Sequence, residues 1–163
     1  MLSQKEVSKV EPIPLSSSGQ VIRMSENNRM LAADTLEGIE MLRNMLEETV
    51  ELVATTSIHE ALEILKGDID LVLCGAHFDD SQMLGLLRRA RIDIETRDKP
   101  ILCYRNLGSE LPNTTLRRLR FMCTALGAVG FVDLYLLKQQ LGTAQAEMQF
   151  KRTVFQYLKP GNQ

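Results

Sequence analysis

A chain of 163 residues, 44% hydrophobic and 25% charged, carries enough apolar material for the core of one globular domain, which excludes disorder throughout. Nineteen basic against 21 acidic residues leave a net charge of −2, so a whole-domain basic field for nucleic acid or anionic lipid is excluded as well. No apolar run approaches the roughly 20 residues of a membrane span, Met1–Lys9 has no apolar signal core, and two histidines with three cysteines leave little for a zinc site.

Residues 1–28 hold Pro12, Pro14, the run Ser16–Gly19 and the polar stretch Ser25–Asn28. They read as a mobile leader, with Gln20–Met24 its only candidate strand. Arg29–Ala33 is a short apolar run ending at Asp34. Thr35–Glu48 has Leu36, Ile39, Leu42, Met45 and Leu46 at helical spacing, with Asp34 or Thr35 to cap it. Val50–Ala54 predicts a strand. Ser57-Ile58-His59-Glu60 is a capping-box pattern opening a helix that Gly67 stops. Ile69–Cys74 is nearly all apolar, as expected of a strand buried on both faces. Asp79-Asp80-Ser81 offers a cap for a helix over Met83–Ala90. Pro100–Tyr104 is a further buried strand, and Asn106–Asn113 a polar loop. Thr115–Leu126 predicts a helix with Leu116, Leu119, Cys123 and Leu126 inward. Ala128–Val132 is a last strand, and one long helix over Leu134–Leu158 ends before Pro160-Gly161. The three cysteines, Cys74, Cys103 and Cys123, lie in apolar contexts and read as reduced thiols of a cytoplasmic protein.

Five β-α units in strict alternation call for a parallel sheet with helices on both faces. Open sheets of this kind bind ligands beyond the carboxyl ends of the strands. Those ends are Ala33-Asp34, Cys74-Gly75, Tyr104-Arg105 and Asp133-Leu134.

Over about residues 29–140 the chain resembles the receiver domain of bacterial two-component response regulators. The resemblance rests on Met30–Glu47 (MLAADTLEGIEMLRNMLE), Glu60–Leu65 with Asp70–Leu73 (EALEIL and DLVL), and Ala125–Val132 (ALGAVGFV) in that order. It implies a doubly wound, flavodoxin-like sheet of strand order 2-1-3-4-5, to which the pattern of this chain adds an extended C-terminal helix beyond the expected end near Gly142. It also implies phosphoryl transfer to an aspartate at the end of the third strand. Two acidic residues after the first strand hold magnesium, and a Thr or Ser and a Lys contact the phosphoryl group, because a carboxylate nucleophile needs cations against the incoming oxygens. Four of those five positions depart here. The acceptor falls on Gly75, the acidic pair on Ala33 and Asp34, the hydroxyl on Arg105 and the lysine on Leu134. The resemblance therefore implies a degenerate receiver, neither enzyme nor cofactor-dependent, that acts by protein contact. An alternative phosphotransfer protein would use Asp79 or Asp80 as a displaced acceptor with a divalent metal held near Asp34.

Several residues carry narrower expectations. Arg105 is expected to fill the space left by Gly75 and pair with Asp34, or else to point to solvent. Asp34, Asp79 and Asp80 read first as helix caps and only secondarily as a metal cluster. His77 is a solvated loop histidine or a ligand, and His59 a surface residue. A bridge between Cys74 and Cys103 is a minor alternative to two reduced core thiols. Arg88, Arg89 and Arg91 form one basic group and Arg117, Arg118 and Arg120 a second. The second group, beside Phe121, reads either as a solvated basic face or as a partner surface; the resemblance implies a partner or homodimer surface made of the helix over 115–126, the last strand and the last helix, which would include Phe131 and Tyr135. Signalling proteins such as a histidine kinase are the partners implied, with neither nucleic acid nor membrane. The extension over 143–163 carries Ala144, Met148, Val154, Phe155 and Leu158, more apolar surface than a small sheet should cover, and is expected to serve dimerisation or docking.

Overall fold

The computed structural model describes residues 28–108 and 111–158. The expected strand at Gln20–Met24, the rest of the leader apart from Asn28, and the last five residues lie outside these. The elements are β1 (Arg29–Ala33), α1 (Leu36–Leu46), β2 (Glu51–Thr55), α2 (Ile58–Ile64), β3 (Leu71–Gly75), a turn-length α3 (Phe78–Ser81), α4 (Met83–Ile92), β4 (Ile101–Arg105), α5 (Asn113–Ala125), β5 (Gly130–Asp133), α6 (Leu134–Leu141) and α7 (Thr143–Gln156). The strands form one parallel sheet in the order β2-β1-β3-β4-β5, the order that the resemblance implies. Right-handed crossovers between parallel strands require this alternation of strand and helix.

Alternate residues of the central strands feed two cores, as the twofold period of a strand dictates. Leu31, Ala33, Val72, Cys74, Ile101 and Cys103 face α2, α4 and α5, where Ala61, Leu65, Leu86, Leu87, Ala90 and Cys123 are buried. Met30, Ala32, Leu71, Leu73, Leu102 and Tyr104 face α1, α6 and α7. β1 ends where the apolar pattern suggests, and the other four strands run one residue further toward their carboxyl ends. Ladder pairing of Gly75 with Tyr104 and of Arg105 with Asp133 carries the sheet past the last apolar residue.

Caps differ in detail from the sequence reading. Thr35, rather than Asp34, caps α1, its hydroxyl accepting the Gly38 N–H at 3.2 Å. Ser57 caps α2, but Glu60 turns to the Thr55 hydroxyl, so the capping box is half formed. Asp79 does not cap the helix after it. Its carboxylate reaches back to accept the Ile58 N–H at 2.7 Å, at the start of α2. It does so from a stretch in which Asp79, Asp80 and Ser81 all adopt left-handed backbone (φ 45°, 62° and 67°), a conformation that costs an L-residue about 1–2 kcal/mol.

The single long C-terminal helix is not found. Gly142 (φ 88°) breaks it into α6 and α7. The break lets α7 lie along the sheet, burying Ala146, Phe150, Val154 and Leu158 at a spacing of four residues. Phe150 packs on Tyr104 with ring centroids 5.3 Å apart. Of the residues expected to need a partner, Val154 and Leu158 are thus covered by the chain's own sheet, while Ala144, Met148 and Phe155 stay exposed.

Candidate functional site

β1 is flanked by β2 on one side and β3 on the other, so the topological switch point of the sheet lies at its carboxyl end. Asp34 is the residue placed there, and it is 4% exposed. Its carboxylate accepts the Thr35 N–H at 2.7 Å through Oδ1 and the Tyr104 hydroxyl through Oδ2. Two glycines make room for it. A Cβ on Gly75, at the end of β3, or on Gly38, in the first turn of α1, would overlap the carboxyl group. Asp34 thus lies inside the volume that a side chain at position 75 would take. Burial raises its pKa above the ordinary 3.8, against the lowering effect of the Tyr104 and Thr35 hydrogen bonds. The Tyr104 phenol is pushed well up, by burial and by the carboxylate beside it.

Arg105 does not pair with Asp34, nor does it point to solvent. It is 5% exposed and forks onto Asp133, 3% exposed, with Nε 3.1 Å from Oδ1 and Nη2 2.9 Å from Oδ2. The cause is register. Arg105 and Asp133 are ladder partners at the ends of β4 and β5, whereas Asp34 lies two strands away and is already held by Tyr104. Asp133 also caps α6 by accepting the Leu136 N–H at 3.0 Å, and the guanidinium stacks 4.7 Å above the Tyr135 ring. A planar fork on a carboxylate is the strongest geometry such a pair adopts.

The remaining expected site residues are dispersed. Ala33 and Leu134 are buried in opposite cores and do not reach the strand-end pocket. His77 is exposed, with Nε2 3.2 Å from the Leu107 carbonyl oxygen. Asp79 is committed to α2, and Asp80 is exposed. Among the described residues no group of three or more His, Cys, Asp or Glu side chains is arranged to hold a metal ion. The magnesium that the fold family implies does not fit. Asp34 is turned inward onto Tyr104, Asp133 is engaged by Arg105, and Asp79 is turned away. His59 is on the surface, as expected.

Cys74 and Cys103 are register partners on β3 and β4, but both are free thiols. Cys103 hydrogen-bonds instead to Cys123 of α5, and that contact together with burial pushes its thiol well up. Burial does the same to Cys74. Of the expected partner surface, Arg117, Arg118 and Phe121 are exposed. Phe131 and Tyr135 are half-buried, each under a guanidinium of this chain: Arg120 lies 5.1 Å above Phe131, and Arg105 covers Tyr135.

Sequence reasoning passed over Tyr104 and Gly38. A phenol within an apolar strand and a glycine in the first turn of a helix were the available signals. Each is unfavourable where it stands unless a polar partner or a close approach requires it.

No protein-family profile matches the sequence, and no curated protein matches it. Solved structures do. The phosphorylated cyanobacterial phytochrome response regulator RcpA superposes with a TM-score of 0.61 at 12% identity, over 78% of this chain and 91% of that one. The chemotaxis response regulator CheY4 of Vibrio cholerae gives 0.58 at 16% identity, over 78% and 98%. A putative response regulator from Chloroflexus aurantiacus gives 0.57 at 20% identity, over 77% and 96%. Strand order, register and these superpositions agree that the chain has the fold of the response-regulator receiver domain.

Proposed function

We propose that the chain is a receiver-fold signalling module that works by binding other proteins, without catalysis and without aspartyl phosphorylation. One observation carries the reading: the Asp34 carboxylate occupies the space beside Gly75 where an acceptor side chain would stand, and Tyr104 holds it there. A phosphoryl group needs an exposed carboxylate, a metal and an open mouth. At this sheet end the carboxylates are internal partners of Tyr104 and Arg105. Signalling proteins, a histidine kinase among them, are the partners this reading implies, with a second copy of the chain as a further option. It places the protein in the cytoplasm, in keeping with the lack, among the described residues, of a helix long and apolar enough to cross a membrane.

Incubation with acetyl phosphate and magnesium, followed by intact-mass measurement, tests it. The expected result is an unchanged mass. Gain of one phosphoryl group, lost on substitution of Asp79 or Asp80, would establish the displaced-acceptor alternative instead.

A further inference from the structure

The helices α4 and α5 lie side by side on one face of the sheet and contain no acidic residue. Together they carry six arginines: 88, 89, 91, 117, 118 and 120. Two of these are structural. Arg91 reaches across to the carbonyls of Arg97, Lys99 and Gly127, at 3.1, 2.9 and 2.7 Å. Arg120 stacks on Phe131 and donates to its carbonyl at 3.2 Å. The other four, Arg88, Arg89, Arg117 and Arg118, are exposed and make no ion pair among the described residues.

Those four are interleaved with apolar side chains. Arg88 and Ile92, and Arg117 and Phe121, are four residues apart, so each guanidinium neighbours a large apolar group one turn on. Phe121 is 68% exposed, Ile92 75% and Ile94 72%, three of the most exposed large apolar residues described. The flanks are fixed by the engaged arginines. Arg91 faces the end of α5, which places Arg88, one turn before it, on the flank of α4 toward α5. Arg120 faces β5, which places Arg118 on the opposite flank of α5, toward α4.

We infer that the paired outer faces of α4 and α5 form a docking surface for an acidic amphipathic segment of another protein, with carboxylates one helical turn apart beside apolar side chains. Guanidinium forks match carboxylates two hydrogen bonds at a time. Phe121 and Ile92 supply the apolar anchor that such interfaces concentrate between arginines. A polyanion of phosphates would use the charge and leave those anchors in water. It would also meet a chain whose net charge is −2. The inference rests on the reading of the chain as a contact-acting module. It moves the contact from the β5 side of α5, where Phe131 and Tyr135 are already covered, to the α4 side.

The test is fluorescence anisotropy with a labelled helical peptide of Glu, Leu and Ala, its glutamates spaced four apart beside leucines, at physiological salt. The comparators are the same peptide with Ser for Leu, a 20-nucleotide single-stranded DNA and phosphatidylserine vesicles. The Glu/Leu peptide should bind, and best of the four. Combined Arg88→Glu and Arg118→Glu should weaken it by at least about tenfold, and Phe121→Ala by several-fold, while Arg43→Glu on α1 of the opposite layer should leave it within about twofold. All are exposed positions, so the melting temperature should hold to within about 2 °C. Failure of the peptide to bind, indifference to Phe121→Ala, or equal binding of DNA or vesicles would overturn the inference. So would self-association in sedimentation that the same charge reversals abolish. An unphosphorylated chain that ignores the peptide rejects this face alone, and a phosphorylated chain that binds the peptide rejects only the reading beneath it.

Discussion

Asp34 is held at the sheet end by two hydrogen bonds and the room left by two glycines, at the cost of its charge being poorly solvated. Because burial raises its pKa, the folded protein keeps the carboxyl proton to higher pH than the unfolded chain does. Its contribution to stability is therefore full below the ordinary 3.8 and is lost as pH rises from there through the folded value. Asp34→Asn keeps the shape without the charge, so it should melt higher than wild type at pH 7, with the difference vanishing toward pH 4; a constant difference across that range would refute the account. Gly75→Ala puts a methyl into the carboxylate and should cost about 1–3 kcal/mol in urea unfolding. In an Asp34→Gly background that cost should largely disappear, which a double-mutant cycle measures directly. Gly75 stands out in the sequence because it departs from the expected residue type, and Asp34 because it is the one of the five positions that does not. What lies between them does not. A sequence names an arginine at 105, but strand register decides that its carboxylate is Asp133 rather than Asp34.

At the scale of elements, the C-terminal pair of helices departs most from expectation. Apolar spacing continues through residues 134–158, so the pattern alone reads as one helix. The interruption depends on a backbone angle that only glycine adopts freely, and Gly142 supplies it. The exposed large apolar residues of α7, Met148 and Phe155, lie on its outward face, whereas Ala146, Phe150 and Val154 form the stripe that closes the second core. Phe150→Ala should accordingly cost about 3–5 kcal/mol. Truncation after Gly142 should unfold the chain rather than dissociate a dimer. Far-UV circular dichroism of the truncated protein checks this, and a native spectrum would show the helix to be an accessory.

For the whole molecule, two layers share the central strands β1, β3 and β4, whose residues alternate between the cores. Neither layer can loosen without uncovering the other. Calorimetry should therefore show a single transition whose calorimetric and van't Hoff enthalpies agree, and two resolved transitions would contradict it. This architecture was the most legible part of the sequence. Strand length, apolar runs and helical spacing are local signals repeated five times, and parallel crossovers leave few ways to combine them. Legibility falls off at the strand ends, where the outcome depends on pairs far apart in the chain: 34 with 104, and 105 with 133.

The inward Asp34 also constrains what position 75 can hold. A side chain at position 75 and an inward carboxylate at 34 exclude each other, so the present arrangement depends on glycine at 75. Among the described residues that carboxylate is the buried polar partner of the Tyr104 hydroxyl. An aspartate introduced at position 75 alone meets an occupied site, and eviction of Asp34 alone strands a phenol in the core. A side chain at position 75 therefore needs coordinated change at three positions, 34, 75 and 104.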